Sequence, residues 1–278
     1  MLARGRSAAA QAELAEVRGR LRRTRRKLQE TKAELETLRE EHRSVRLSVR
    51  DPFPDVVLPA DVDTVIDAVV AERLSFLQRE DLCMLARLVQ ETETSGRKGV
   101  ILETGTALGG SAIVMAAAKA VGRPMRVYDV FDTIPPPTDR DGEDVHRRYD
   151  KILRGEATGH GGDVYYGYRD DLLAEVTGSF ERLGVPVAAN DVTLVKGLFQ
   201  DTLEVDEPVA LAHLDGDWYE STMTCLERIT PHLVPGGRLV LDDYFAWSGC
   251  REAVEEYFAG RRGFRLEKRV KAHVVRLP

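Results

Sequence analysis

The residues of this sequence with the clearest chemical potential are aspartates that follow apolar runs. Asp215 directly follows one such run, and Asp242 and Asp243 directly follow the next. If both runs are strands of one parallel sheet, these carboxylates meet outside the same sheet edge, where such folds bind ligands. Carboxylates held together repel one another unless a cation lies among them, and oxygen ligands favour Mg²⁺, Mn²⁺ or Ca²⁺ over zinc. The pattern predicts a divalent metal site; the alternative is that Asp217 and Asp243 only cap helices or accept loop hydrogen bonds.

A glycine-rich turn precedes these acids in the chain. Residues 100–111 lead from an apolar strand through Gly105, Gly109 and Gly110 into a helix predicted over 112–120. Glycine lets a ligand approach the backbone closely. The turn lacks the lysine of a P-loop and the G-x-G opening of a dinucleotide fingerprint, so it favours a ligand without phosphates. The alternative is that the glycines only allow the helix to pack tightly on the sheet.

One further acid stands where the second strand is predicted to end. Asp129 lies 24 residues beyond Gly105, a position from which a carboxylate can receive a ribose diol in this architecture. Asp132 is the competing choice, and either residue can instead be an ordinary loop acid. His213, inside the apolar run before Asp215, is interpreted as a core residue rather than a base.

The elements that must position these residues follow from the periodicity. From residue 99 onward short apolar runs alternate with helical stretches, which is typical of an α/β fold with a mostly parallel, doubly wound sheet. Residues 60–92 predict one or two helices before the sheet, and the long insertion 132–171 predicts a lid or a disordered segment. The predicted strands are 99–103, 125–130, 192–196, 209–214, 238–241 and 270–276.

The first 50 residues have a different character, with 14 Lys and Arg against 7 Glu. A seven-residue leucine repeat predicts an N-terminal coiled coil and a parallel homodimer; the alternative is a lone charged helix. The basic run Arg22–Lys27 is interpreted as a solvated helix face in preference to a nucleic-acid arm. Residues 51–59 form a proline-rich linker before a domain at 60–278. The repeat consists of Leu14, Leu21, Leu28 and Leu35.

Composition limits the class of protein. At 278 residues with a net charge of -6, the chain is long enough for a packed α/β domain plus an extension. No apolar run approaches the roughly 20 residues of a membrane span, which predicts a cytoplasmic protein without membrane partners. The three cysteines are odd in number and scattered, so they are expected to remain thiols.

Three motifs in order resemble those of one known family. They read E-T-G-x-x-x-G-G-S at 103–111, L-D-G-D-W-Y-E-S-T at 214–222 and P-G-G-R-L-V-L-D-D-Y at 235–244. Together they are similar to the macrocin O-methyltransferase family over roughly residues 60–278. The resemblance implies a Rossmann-like class I methyltransferase fold that uses S-adenosylmethionine and Mg²⁺ to methylate a sugar hydroxyl of a small or glycosylated acceptor.

The resemblance also implies roles for individual residues. Asp215, Asp242 and Asp243 would hold the metal, and Asp215 would also act as the base. Two other classes are alternatives: a nucleotide-dependent oxidoreductase, and an inactive coiled-coil scaffold or nucleic-acid-associated protein. The residues implied to hold the cofactor are Glu103, Thr104, Gly105, Thr106, Gly109, Ser111 and Asp129.

Overall fold

The computed structural model describes residues 17–22, 24–29, 31–32 and 57–278. The chain divides into two compact units, residues 1–50 and residues 51–278. In the first unit the described residues are helical, and Val17, Leu21 and Leu28 are exposed. Leu14 and Leu35, the outer leucines of the predicted repeat, lie outside the described residues, as does most of the predicted linker.

The second unit is built on a seven-stranded sheet. Its strands are β1 (Val100–Thr104), β2 (Met125–Asp129), β3 (Val192–Lys196), β4 (Val209–Leu214), β5 (Leu233–Leu241), β6 (Phe264–Lys268) and β7 (Ala272–Arg276). Their order is β3-β2-β1-β4-β5-β7-β6. Neighbours among the five strands β3, β2, β1, β4 and β5 pair in parallel, and β7 pairs antiparallel with both β5 and β6. The predicted α/β fold with a mostly parallel sheet is confirmed.

Helices connect the strands. They are α1 (Ala60–Ala71), α2 (Arg79–Thr94), α3 (Gly110–Ala118), α4 (Glu143–Leu153), α5 (Leu172–Arg182), α6 (Phe199–Thr202), α7 (Tyr219–Ile229) and α8 (Ser248–Phe258). Within the described part of the second unit, two helices precede the sheet, in agreement with the one or two predicted there. Helix α3 begins two residues before its predicted start, since Gly109 adopts a left-handed conformation (φ 87°) that ends the turn and starts the helix. Within the part of the chain described, no helix is long and apolar enough to cross a membrane.

Apolar side chains bury both faces of the sheet. Ile101 of β1 packs on one face with Leu85 of α2 and Ile113 of α3. Its neighbour Leu102 points to the other face, in the cluster that contains Leu226 of α7. Because adjacent residues of a strand point to opposite faces, a continuous apolar run is what a sheet covered on both sides requires. All three cysteines are buried thiols, as predicted.

The insertion between β2 and β3 has structure of its own. Before α5 it contains α4 and two short 3₁₀ turns, and the buried apolar side chains of residues 134–165 form one cluster with Trp218, which follows β4. The Nε1 of Trp218 donates to the carbonyl oxygen of Pro135 at 3.0 Å, and the backbone N–H of Tyr219 donates to Asp141 Oδ1 at 2.8 Å. The insertion is therefore attached directly to the segment that follows β4.

The last strands differ most from the sequence prediction. The sequence prediction omits β6, because Arg265, Glu267 and Lys268 interrupt the apolar pattern of this strand. β6 lies at the sheet edge, where charged side chains are common and one side of the strand stays in water. β5 begins at Leu233, five residues before its predicted start, because Pro235 and the two glycines after it are typical of a turn.

Candidate active site

The carboxyl ends of β1 and β4 meet where the sheet reverses its winding. The chain continues to β2 on one side of this point and to β5 on the other, which creates the crevice in which such sheets bind ligands. Gly105 follows β1 with φ 82°. A Cβ atom on this residue would lie 1.8 Å from the carbonyl oxygen of Asp215. Glycine is therefore required for the two strand ends to approach this closely.

A cavity of about 250 Å³ opens at this point. The glycine turn, the ends of β4 and β5, and the insertion each supply part of its wall, and a smaller cavity of about 60 Å³ adjoins it near Gly197. Trp218 and Trp247 pack edge to face in the wall, with ring centroids 5.7 Å apart. The other side chains that line the larger cavity include Thr106, Ser111, Asp129, Ile134, Arg148, Tyr165, Tyr166, Asp215, Asp217, Asp242, Asp243 and Lys271.

Asp129 holds the turn after β1 in place. Its Oδ2 accepts hydrogen bonds from the backbone N–H groups of Thr106 at 2.7 Å and Ala107 at 3.0 Å, and its Oδ1 accepts from Phe131 at 2.6 Å. Burial raises the pKa of Asp129, and these three donors oppose that shift. Asp132, the competing acid, is exposed. Asp129 thus shapes the glycine turn and also forms part of the cavity wall.

Asp215, Asp217 and Asp243 form an acidic cluster in the cavity. Each offers a carboxylate oxygen, and these oxygens lie within 4.8 Å of one another. Burial, followed by the charges of Asp243 and Asp242, raises the pKa of Asp215 well above its usual value, and burial and Asp243 do the same to Asp217. Burial and Asp242 raise the pKa of Asp243 to about 6. Clustered carboxylates that resist ionisation fit a hard divalent cation, because its charge would offset both costs.

Asp242 has different partners from the other acids. The ammonium of Lys271 lies 2.8 Å from its Oδ1 and 2.9 Å from its Oδ2, and His213 Nε2 lies 3.4 Å from Oδ1. Burial raises the pKa of Asp242, but the hydrogen bond from His213 and the charge of Lys271 outweigh it and hold the pKa at about 2. His213, Asp215 and Asp242 form a second group of possible ligands within 4.8 Å. Asp242 is thus the acid whose negative charge is already compensated.

Four of the predicted cofactor residues line the cavity, and three are placed elsewhere. The four are Gly105, Thr106, Ser111 and Asp129. Glu103 is completely buried in β1, with Oε1 2.8 Å from Nδ1 of His213. The hydroxyl of Thr104 accepts a hydrogen bond from the Cys225 thiol at 3.3 Å. Gly109 packs against Val176, whose Cγ1 would lie 2.8 Å from an added Cβ.

The structure adds cavity residues to which the sequence assigned no chemistry. Asp217, interpreted as a possible cap, has φ 56°, and its Oδ1 accepts a hydrogen bond from Trp247 Nε1 at 2.9 Å. Its position in the motif at 214–222 is a signal that could have identified it. Arg148 of α4 and Lys271 before β7 belong to no motif and are distant in sequence from the aspartates, so only tertiary structure brings them to the cavity.

Comparison with known proteins agrees with this architecture. The family model Macrocin-O-methyltransferase (TylF) matches residues 69–268, which is most of the second unit. The chain belongs to this family. It is therefore an O-methyltransferase that uses S-adenosylmethionine, which confirms the resemblance and removes the support for the oxidoreductase and scaffold alternatives.

The relatives of this chain are named as O-methyltransferases, and the name of one includes a rhamnosyl group. The 8-demethyl-8-(2,3-dimethoxy-alpha-L-rhamnosyl)-tetracenomycin-C 4'-O-methyltransferase of Streptomyces olivaceus is 36% identical over 200 residues, which cover 70% of each chain. The mycinamicin III 3''-O-methyltransferase of Micromonospora griseorubida is 33% identical, over 62% of this chain and 65% of that protein. The solved structure of the O-methyltransferase NovP superposes with a TM-score of 0.63 at 22% identity, covering 78% of this chain and 97% of that one. This likeness confirms the class I methyltransferase fold.

Proposed function

We propose that this enzyme transfers a methyl group from S-adenosylmethionine to a sugar hydroxyl of a glycosylated natural product. The observation that carries the proposal is the acidic cluster of Asp215, Asp217 and Asp243, which lies beside the glycine turn in a cavity with aromatic walls. One relative is named for methylation of a rhamnosyl-tetracenomycin and another for methylation of mycinamicin III, which supports a glycosylated natural product as the acceptor. The rings of Trp218 and Trp247 offer apolar surface against which a sugar can pack.

The glycine turn is proposed to hold the cofactor. Gly105 leaves the backbone open to a ligand, and Thr106, Ser111 and Asp129 present polar groups to the same cavity. Asp129 accepts three backbone hydrogen bonds, so its carboxylate is already fixed in position before a ribose hydroxyl reaches it. Holding the methyl donor rigidly matters because methyl transfer requires the acceptor oxygen in line with the sulfonium methyl.

A divalent cation, proposed to be Mg²⁺, fits the aspartates. Asp215, Asp242 and Asp243 would hold it, as the family motif implies, and Asp217 lies close enough to Asp215 and Asp243 to contribute. A bound cation of this kind lowers the pKa of a coordinated hydroxyl and fixes its position. Burial, together with the repulsion among the carboxylates, raises the pKa of Asp215 and of Asp243, and a cation would offset both effects.

The base that removes the hydroxyl proton is proposed to be Asp215, with Asp217 as its rival. Both carboxylates line the cavity beside the proposed cation site, and each can accept the proton of a hydroxyl whose pKa the cation would lower. Trp247 Nε1 donates to Asp217 and holds it in place. Asp215→Asn should bind cofactor and lose turnover. If Asp215→Asn keeps a near-normal rate and Asp217→Asn does not, the base is Asp217.

Calorimetric titration with S-adenosylhomocysteine, in Mg²⁺ and in EDTA, tests the cofactor site, and a methylation assay tests the acceptor. The assay compares a rhamnosylated aglycone that carries neighbouring hydroxyls with the analogue that lacks one of them. We expect transfer to the diol only, with a loss of activity in EDTA that Mg²⁺ restores. Equal transfer to both compounds in EDTA would refute the cation-assisted mechanism, and no transfer to any glycoside would refute the acceptor class.

The N-terminal segment is proposed to dimerise the enzyme as a coiled coil. Leu21 and Leu28 lie seven residues apart in a helical segment and are 49% and 54% exposed, so they are available to a second copy. Light scattering on the full chain and on a chain beginning at residue 51 tests this. We expect a dimer and a monomer respectively, and an unchanged number of chains per particle would contradict the proposal.

A further inference from the structure

Four charged or polar side chains form a continuous row beneath the cavity. Glu103 Oε1 lies 2.8 Å from His213 Nδ1, His213 Nε2 lies 3.4 Å from Asp242 Oδ1, and the Lys271 ammonium contacts both oxygens of Asp242. The row crosses from β1 through β4 to the end of β5 and the residue before β7. Only Asp242 and Lys271, at one end, line the cavity.

The side chains at the two ends of this row differ in how freely they can move. Glu103 and His213 are both completely buried, and each is held by a strand with neighbours on both sides. Both ring nitrogens of His213 face carboxylate oxygens, so the ring cannot rotate without losing both contacts. Lys271 instead lies at the cavity wall on a flexible four-carbon stem, and its ammonium can move away from Asp242 without disturbing the core.

We propose that Glu103 and His213 are positioning residues that hold the carboxylate of Asp242 toward the cation site. The ammonium of Lys271 neutralises Asp242 until a divalent cation displaces it. The inference rests on the proposed function in its cation site. It gives Glu103 a role different from the cofactor contact that its motif implies, because Glu103 is separated from the cavity by His213 and Asp242.

The physical basis is the orientation of a ligand by the groups behind it. A carboxylate that binds a metal is usually held by hydrogen bonds from the protein, and loss of such a partner typically weakens metal binding about 10–100-fold. In this chain the contact to Asp242 comes from His213, and Glu103 fixes the ring. Lys271 occupies both oxygens of Asp242, so a cation that uses either oxygen must compete with the ammonium.

Four variants separate these roles. His213→Gln can place an amide N–H where Nε2 contacts Asp242, whereas His213→Asn is too short to reach Asp242 and can only meet Glu103. Lys271→Met removes the positive charge beside Asp242 and keeps the length of the side chain. His273→Gln is the matched control. His273 is also fully buried and is aligned with His213 across the sheet, since each is paired with Val240 of β5. It has no hydrogen-bond partner among the described residues.

The main measurement is the Kd for Mn²⁺, obtained from the electron paramagnetic resonance signal of free Mn²⁺. The Kd for S-adenosylhomocysteine and the melting temperature are measured on the same samples. We expect His213→Asn to weaken Mn²⁺ binding at least 10-fold and His213→Gln to recover most of the loss. Lys271→Met should tighten Mn²⁺ binding several-fold. The Kd for S-adenosylhomocysteine should change less than twofold in all variants, and the control should bind Mn²⁺ as the unmodified chain does.

The opposite pattern would overturn the inference. Unchanged Mn²⁺ binding in His213→Asn, or a loss equal to that of His273→Gln, would reduce His213 to a core residue. Weaker Mn²⁺ binding in Lys271→Met would show that Lys271 supports the site instead of competing for it. If the unmodified chain binds Mn²⁺ but methylates no glycoside, the proposed acceptor fails while this inference stands; if it binds no Mn²⁺, the inference fails and cofactor binding remains a separate question.

Discussion

Replacing Gly105 with alanine tests the geometry on which the whole site depends. The residue has φ 82°, and the added methyl group would lie 1.8 Å from the carbonyl oxygen of Asp215 and 2.9 Å from its carbonyl carbon. Both of these atoms belong to the backbone, so no side-chain rotation can relieve the clash. The end of β1 must therefore move away from the end of β4, and the turn must move with it.

The expected cost follows from two terms. A left-handed conformation costs a residue with a Cβ about 1–2 kcal/mol, and forcing an extra methyl group into packed surroundings costs about 1–3 kcal/mol. The free energy of unfolding should therefore fall by about 2–5 kcal/mol, less than the 5–15 kcal/mol typical of a stable domain. The chain should still fold, and displacement of the turn should weaken S-adenosylhomocysteine binding at least about 10-fold.

Urea denaturation and calorimetry measure these two effects. Gly178→Ala is the control, because Gly178 lies in α5 and an added Cβ there meets no atom within 4 Å. Alanine is the better helix former by about 1 kcal/mol, so the control should be slightly more stable and bind the cofactor product normally. The reasoning is refuted if Gly105→Ala loses less than about 1 kcal/mol and keeps its affinity, since strain alone predicts more than that.

Three further predictions concern the acids and a thiol. Asp129→Asn leaves one acceptor oxygen for three backbone N–H groups, so urea denaturation should give an unfolding free energy lower by about 2–4 kcal/mol; equal stability would contradict the role of Asp129 in the turn. The pKa of Asp243 is raised to about 6, so without a divalent cation its ionisation destabilises the fold as the pH rises from about 4 to about 6. Mn²⁺ should accordingly raise the melting temperature more at pH 7.5 than at pH 5, and an equal shift would argue against a cation at this acid. Burial raises the pKa of Cys225 to about 12, so Ellman's reagent should label it only after urea unfolds the chain; rapid labelling of the native protein would contradict its burial.

The strand predictions were most accurate where polar residues or glycine bound an apolar run. β4 has the predicted bounds because its run is fully buried and ends at Asp215. β3 also has them, although it is an edge strand with Thr193 and Lys196 exposed, because Asp191 and Gly197 bound its run. β6 was missed because an edge strand is exposed to water and its sequence of Phe264, Leu266 and charged neighbours is not distinctive. The sequence pattern of a strand reports how much of it is buried, so a strand with several charged side chains in water, such as β6, is hard to recognise.

By itself the sequence determined the fold class, the family, and the aspartates and glycines that meet at one edge of the sheet. The aspartates and glycines could be found from the local sequence, because the residue after a parallel strand lies at the carboxyl edge of the sheet wherever that strand is placed. Only the tertiary structure decided what each acid touches. Glu103 stands within the same motif as Gly105, yet its side chain lies in the core against His213, because Glu103 is inside β1, between β2 and β4, whereas Gly105 follows the end of that strand. Lys271 directly precedes β7, the strand that pairs with β5, and it reaches Asp242 through a contact between residues 29 positions apart that no local pattern encodes.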